Sequence, residues 1–185
     1  MKIDCIIGID PGVNGGIAIY RPGKITKVIK MPRNLMDLRD WFVYVTSICT
    51  PLVFLEKLSV RPDDVTIDKN DNTRANMGKM YRIQEMMKNF EQLKVIMNFS
   101  NIPFVLVSPM KWQSALKLRL KGVKEEKIDR KNRYKKISSE LYPAVNVALW
   151  NSDALLIMHF GRYVLANEQQ WVKDNLPKNI IPKLF

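Results

Sequence analysis

Residues 3–19 read Ile-Asp-Cys-Ile-Ile-Gly-Ile-Asp-Pro-Gly-Val-Asn-Gly-Gly-Ile-Ala-Ile. An apolar run from Cys5 to Ile9 ends in an acid, Asp10, and then in Pro11-Gly12. A second β-branched run, Ile17 to Ile19, follows Gly15-Gly16. Together these spell a strand, a tight turn and an antiparallel strand returning beside the first. Asp10 stands where the first strand finishes, and the neighbouring glycines let another backbone approach closely. One such acid serves equally well facing water, so its meaning depends on the rest of the chain.

Outward from that hairpin, Lys24 to Met31 reads as a third strand after the Pro22-Gly23 turn. Pro32 and Asn34 open a helix from Leu35 to about Ser47, with Leu35, Leu38, Trp41, Phe42 and Val45 on one stripe. Leu52 to Leu55 is a short continuous apolar run, the mark of a strand buried on both faces, and it finishes in Glu56. Ser59 to Met77 is polar and aperiodic and reads as a mobile loop that orders on binding; its Asp63, Asp64, Asp68 and Asp71 read as solvated. A helix from about Arg74 to Asn98 carries Met80, Ile83, Met87, Phe90 and Leu93 at helical spacing, a stripe suited to core or to self-association. Pro103 to Val107 is another buried strand, and Ser108-Pro109 starts a helix. Leu149 to Ala166 is the last clear helix, with Asp153 in its first turn. The expected division is one domain over 1–170, followed by a tail, 171–185, of unreadable role.

Composition narrows the partners. The 185 residues hold 30 Lys and Arg against 18 Asp and Glu, a formal charge of +12. That excess points to a polyanion, and nucleic acid is the usual one. Residues 111–136 contain Lys111, Lys117, Arg119, Lys121, Lys124, Lys127, Arg130, Lys131, Arg133, Lys135 and Lys136 against only Glu125, Glu126 and Asp129. Two thirds of the net charge therefore lies in one seventh of the chain, as a surface that tracks phosphates requires. No apolar run approaches the roughly 20 residues of a bilayer span. The first residues have no basic, apolar and small-residue succession of the signal-peptide kind. Cys5 and Cys49 lie in apolar surroundings without metal-type spacing and read as buried free thiols in a reducing compartment.

Acids thus fall at three element ends: Asp10, Glu56 and Asp153. With the first and fourth strands adjacent, and the last helix packed over them, the three meet. Carboxylates that close repel one another, and divalent cations remove the penalty. Ligands offering only oxygen favour Mg²⁺ or Mn²⁺. Two such ions about 4 Å apart activate water and stabilise the leaving oxygen of a phosphodiester.

Three blocks carry a family resemblance: Gly8-Ile9-Asp10-Pro11-Gly12, Phe54-Leu55-Glu56-Lys57 and Ser152-Asp153-Ala154-Leu155-Leu156-Ile157. With Ile102 to Gln113, including Ser108-Pro109-Met110-Lys111-Trp112-Gln113, and Leu141-Tyr142-Pro143, they resemble the RuvC-like Holliday junction resolvases of the RNase H-like superfamily, the phage-borne branch most closely. The resemblance implies an α/β fold, an RNase H-like mixed five-stranded sheet flanked by helices. It implies a homodimeric endonuclease that nicks two strands of a four-way junction with Mg²⁺ or Mn²⁺ and no small-molecule cofactor, in the cytoplasm of a bacterium or phage-infected host. Asp10, Glu56 and Asp153 would be metal ligands, with Lys111 and Lys131 turned towards the cut phosphate. Cellular members carry a fourth ligand one helical turn before the last aspartate. Here that place holds Trp150, which cannot ligate. The single histidine, His159, is six residues from Asp153 and leans to another face of the helix.

Two rivals share these features. Sugar kinases and actin-like ATPases also open with an Asp-Gly strand–turn–strand, but they need two subdomains clasping a nucleotide, and no second phosphate loop follows residue 100. A non-catalytic module that binds branched DNA would keep fold and charge, yet it has no need of all three acids.

Overall fold

The computed structural model describes residues 2–58, 73–120, 122 and 125–177, the side chains of 73–75 excepted. Of the expected loop at 59–77, residues 59–72 lie outside the described residues, as do the tail beyond residue 177, Lys121 and Lys124, whereas residues 73–77 are helical rather than loop.

Five strands form one mixed sheet: β1 (Cys5–Asp10), β2 (Gly16–Tyr20), β3 (Lys27–Lys30), β4 (Pro51–Glu56) and β5 (Phe104–Val107), in the order β3-β2-β1-β4-β5. The first three make an antiparallel meander, and β4 and β5 add on the other side of β1 in parallel. Around them lie α1 (Leu35–Ile48), α2 (Thr73–Phe99), α3 (Pro109–Ala115), α4 (Lys127–Leu141), α5 (Ser152–Asn167) and α6 (Gln169–Asn175). None of the described helices is long and apolar enough to cross a membrane.

Alternation along the strands sorts the core into two sides. Cys5, Ile7 and Ile9 of β1, with Val53 and Leu55 of β4, pack on one face against Leu38, Phe42 and Val45 of α1 and Phe90, Leu93 and Met97 of α2. Leu52 and Phe54 turn to the other face, against Leu156, Ile157 and Phe160 of α5 and Trp112 of α3. By the same period of two, Asp10 shares its side with Gly8, and Glu56 with Phe54. Both acids therefore stand on the face that α5 covers.

Four other expectations change. β3 is confined to Lys27–Lys30, because Lys24 follows a turn in which its N–H donates to Arg21 O, and Ile25 is exposed. The last long helix starts at Ser152 rather than Leu149: Asn151, fully buried, accepts from Ala148 N through Oδ1 and donates from Nδ2 to Asn146 O, which shapes a turn. In the segment whose role was unreadable, α6 docks Val172 in the core and Trp171 edge-on to Phe160. Cys5 and Cys49 are not free thiols but paired as a disulfide, with their Cα atoms 6.2 Å apart. Thr50 brings them together: it donates its N–H to Asp4 Oδ1, and its carbonyl accepts from Asp4 N and Cys5 N, so the starts of β1 and β4 are laced side by side.

Candidate active site

Register places the first two acids. β1 and β4 pair in parallel with Ile9 opposite Leu55, so the next rung puts Asp10 beside Glu56 at the carboxyl ends of adjacent strands. The two carboxyls are close enough that Glu56 raises the pKa of Asp10. A turn holds Asp10 in place from behind, since Gly12, at φ +113°, donates its N–H to Asn89 Oδ1 on α2 at 2.9 Å. Few side chains tolerate that φ, which accounts for glycine there. Glu56 is aimed from the other side, because Trp112, fully buried on α3, donates Nε1–H to its Oε1 at 2.9 Å. α3 begins where Ser108 Oγ accepts from Lys111 N with Pro109 at its first position.

Asp153 arrives on the first turn of α5, where the helix dipole suits an anion. Ser138 of α4 donates Oγ–H to Ser152 O at 3.1 Å and joins the two helices beside it. Lys131 completes the group with an ion pair from Nζ to Asp153 Oδ2. Its position on α4 explains how: Lys131, Tyr134 and Ser138 fall on one helical stripe, and the latter two are buried against the fold.

Electrostatics follow from one buried and two half-buried carboxylates facing one ammonium. Burial, then Glu56 and Asp153, push the Asp10 pKa well above the ordinary carboxylate range, against Lys131. Burial lifts Glu56 to about 7, with Asp153 adding to it and the Trp112 hydrogen bond and Lys131 opposing it. Burial works against the charge of Lys131, but Asp153, Asp10 and Glu56 outweigh it and raise its pKa. An oxygen-only set with excess negative charge is the donor chemistry of a hard divalent cation. The three carboxylates are spaced too widely to meet as one tight cluster. The set of ligand atoms that lies within 4.8 Å among the described residues is Asp4, Cys5 and Cys49, and its two sulfurs are bonded to each other. The acids group instead as an Asp10–Glu56 pair with Asp153 held aside by Lys131.

A raised carboxyl pKa has a signed consequence for stability. Between the unfolded value of 4.5 and about 7, folded Glu56 keeps a proton that the unfolded chain has lost, so stability falls as pH rises through that window. The shift corresponds to about 3 kcal/mol. The metal-free protein should melt several degrees lower at pH 8 than at pH 5, and Mn²⁺ should restore more at pH 8. Calorimetric scans with and without the ion check both; a flat melting profile would contradict the charge balance.

The other basic residues are dispersed. Lys111 Nζ pairs with Glu168 Oε2 at 2.8 Å and stands 4.8 Å from the Trp171 ring centroid, so its ammonium is held between α3 and α6. Arg133 clasps Glu125 through Nε and Nη2 and donates to Leu118 O, which braces the stretch between α3 and α4. Lys117, Arg119, Lys127 and Lys135 are exposed, and Arg130 is half-buried. His159 is remote from the acids: its Nδ1 hydrogen-bonds the Tyr142 hydroxyl at 2.9 Å, and burial, with Arg162, lowers its pKa. Asn89 has no charge to draw notice in the sequence, and Trp112 stands out there only within the Ser108 to Gln113 block, yet they set the two acids of the sheet.

No protein-family model matches the chain, and no curated protein matches it by sequence. Among solved structures it is similar to Thermus thermophilus RuvC, with a TM-score of 0.50 and 13% identity over 88% of this chain and 95% of that one. It is also similar to T. thermophilus RuvC in complex with a Holliday junction substrate, with a TM-score of 0.49 and 13% identity over 89% and 96%. The fold is accordingly that of RuvC: a mixed five-stranded sheet flanked by helices.

Proposed function

We propose that the chain is a structure-selective DNA endonuclease that resolves Holliday junctions and related branched DNA by metal-dependent hydrolysis of phosphodiesters. One observation carries this reading: Asp10 and Glu56, in register on adjacent parallel strands, lie within electrostatic reach of Asp153 and of the Lys131 paired with it. Asp10, Glu56 and Asp153 would hold Mg²⁺ or Mn²⁺, two ions per site by their wide grouping. When bound, these supply an activated water and charge stabilisation at the leaving oxygen. Trp112 fixes the direction of Glu56, Asn89 fixes the turn behind Asp10, and Lys131 presents an ammonium to a phosphate oxygen. The exposed Lys117, Arg119, Lys127 and Lys135, with Arg130, extend the positive surface along the DNA.

The same reading makes the enzyme a homodimer that delivers paired nicks. Met77, Met80 and Tyr81, exposed on the first turns of α2, supply an apolar surface for it. The Lys111-Trp112-Gln113 block and Leu141 to Pro143 favour the phage-borne branch. The DNA substrate, rather than the cysteines, supports a cytoplasmic setting.

Labelled four-way junctions with Mg²⁺ or Mn²⁺ test the activity. The wild-type chain should cut them and leave continuous duplex intact. Asp153→Asn should bind and fail to cut, since removing a carboxylate lessens repulsion with phosphate. Binding without cleavage by the wild type would leave a branched-DNA-binding module. Junction affinity should also fall steeply with salt, and Lys127→Ala should reduce the slope of log affinity against log salt by about 0.9. An unchanged slope would remove Lys127 from the phosphate track.

A further inference from the structure

Trp150, which stands where a fourth ligand was expected, lines an open cavity of about 520 Å³. The other walls are Asn14, Lys127, Ile128, Lys131 and Leu149. The indole edge rests on Gly16, where even a methyl group would come within 3.1 Å of the ring, and Lys30 Nζ stands 5.8 Å from the centroid. Ile128 and Leu149 expose 58% and 41% of their surfaces here. The cavity begins at the catalytic group itself, because Lys131 both lines it and pairs with Asp153.

We infer that this cavity is a nucleobase subsite: it takes one unpaired nucleotide next to the cut phosphate, with the base against Trp150 and its phosphates at Lys127 and Lys131. The inference rests on the nuclease reading above. A free phosphate would leave the indole and the two aliphatic walls unused, and a purely apolar ligand would leave the exposed Lys127 ammonium unused. A nucleotide uses both: every base has a π-face that an aromatic ring accepts whatever the sequence, and the Asn14 amide offers a donor and an acceptor to its edge. The size suits it as well, within the range of ordinary ligand pockets. Selectivity for branched DNA follows. At a junction the bases at the crossover are free to leave the stack, whereas continuous duplex must first unstack and unpair one.

The test measures affinity of the full chain for a synthetic four-way junction, without divalent ions, and for duplex of the same length. An abasic position is walked across the nucleotides flanking the cut. Losing the base, or Trp150→Ala, should each weaken junction binding about tenfold, and the two together should cost no more than either alone. Trp150→Phe, which keeps a ring, should preserve the effect of the base, and duplex affinity should not change. Should Trp150→Ala melt early, Asn14→Ala with Leu149→Ala, both exposed residues of the cavity wall, takes its place in the same cycle. Losses that multiply, or an abasic walk that costs nothing at any position, overturn the subsite while cleavage by the wild type leaves the nuclease standing. A wild type that neither cuts nor prefers the junction overturns both.

Discussion

Asp10→Asn is expected to reduce junction cleavage by about 10³-fold or more, the upper end of what losing one pre-positioned electrostatic group costs an enzyme. The same change should make the metal-free protein more stable. Asp10 is a buried carboxyl whose ionisation is opposed by burial, Glu56 and Asp153, and only Lys131 favours it. An amide of the same shape has no ionisation to oppose and escapes that penalty. A gain of about 1 kcal/mol would raise the melting temperature by about 2–4 °C in a chain of this size. Opposite movements of activity and stability identify a site that stores repulsion until cations arrive. Gel assays on labelled junctions and calorimetry on the same preparations read the two quantities. A variant that cuts at the wild-type rate would remove Asp10 from the chemistry, and one that melts lower would show its carboxylate to be structural.

Local sequence was sufficient where one segment's pattern decides the outcome. The run from Cys5 to Asp10 and the run from Leu52 to Glu56 are apolar, short and closed by acids, so both strands and both acids were readable. Their parallel adjacency was an assumption that register then supplied. Where two distant segments decide jointly, the pattern was silent. Lys111 and Lys131 look alike in a basic run, and what separates them is Glu168 and Trp171 holding the one and Asp153 the other. Cys5 and Cys49 are 44 residues apart, and only the lacing of Thr50 to Asp4 brings them together. The start of α5 was misplaced because Leu149 and Trp150 look like helix interior, whereas the buried amide of Asn151 makes the preceding residues a turn.

Gly8→Ala should be strongly destabilising. α5 crosses β1 at Gly8 so closely that an added Cβ would fall on Met158 N and Ala154 O. Both are backbone atoms, so no side-chain rotation relieves the overlap, and the helix must withdraw. Overpacking of this kind costs about 3 kcal/mol or more, equivalent to a melting temperature about 6–12 °C lower. Gly161→Ala gives a graded comparison: its Cβ would meet the Phe54 ring at 2.5 Å, a side chain with some freedom to move. Gly23→Ala isolates the backbone contribution, since Gly23 has φ +72° and nothing within 4 Å of an added Cβ. Its cost should be only about 1–2 kcal/mol. The order of melting temperatures should therefore be Gly23→Ala above Gly161→Ala above Gly8→Ala. Activity should follow a different order. At a temperature where all three variants remain folded, only withdrawal of α5 at Gly8 carries Asp153 away from Asp10, so Gly8→Ala should lose cleavage out of proportion to its remaining fold. If Gly8→Ala melts with Gly23→Ala and cuts normally, α5 does not lie against β1 at that depth, and the meeting of Asp153 with the strand-end acids loses its structural basis.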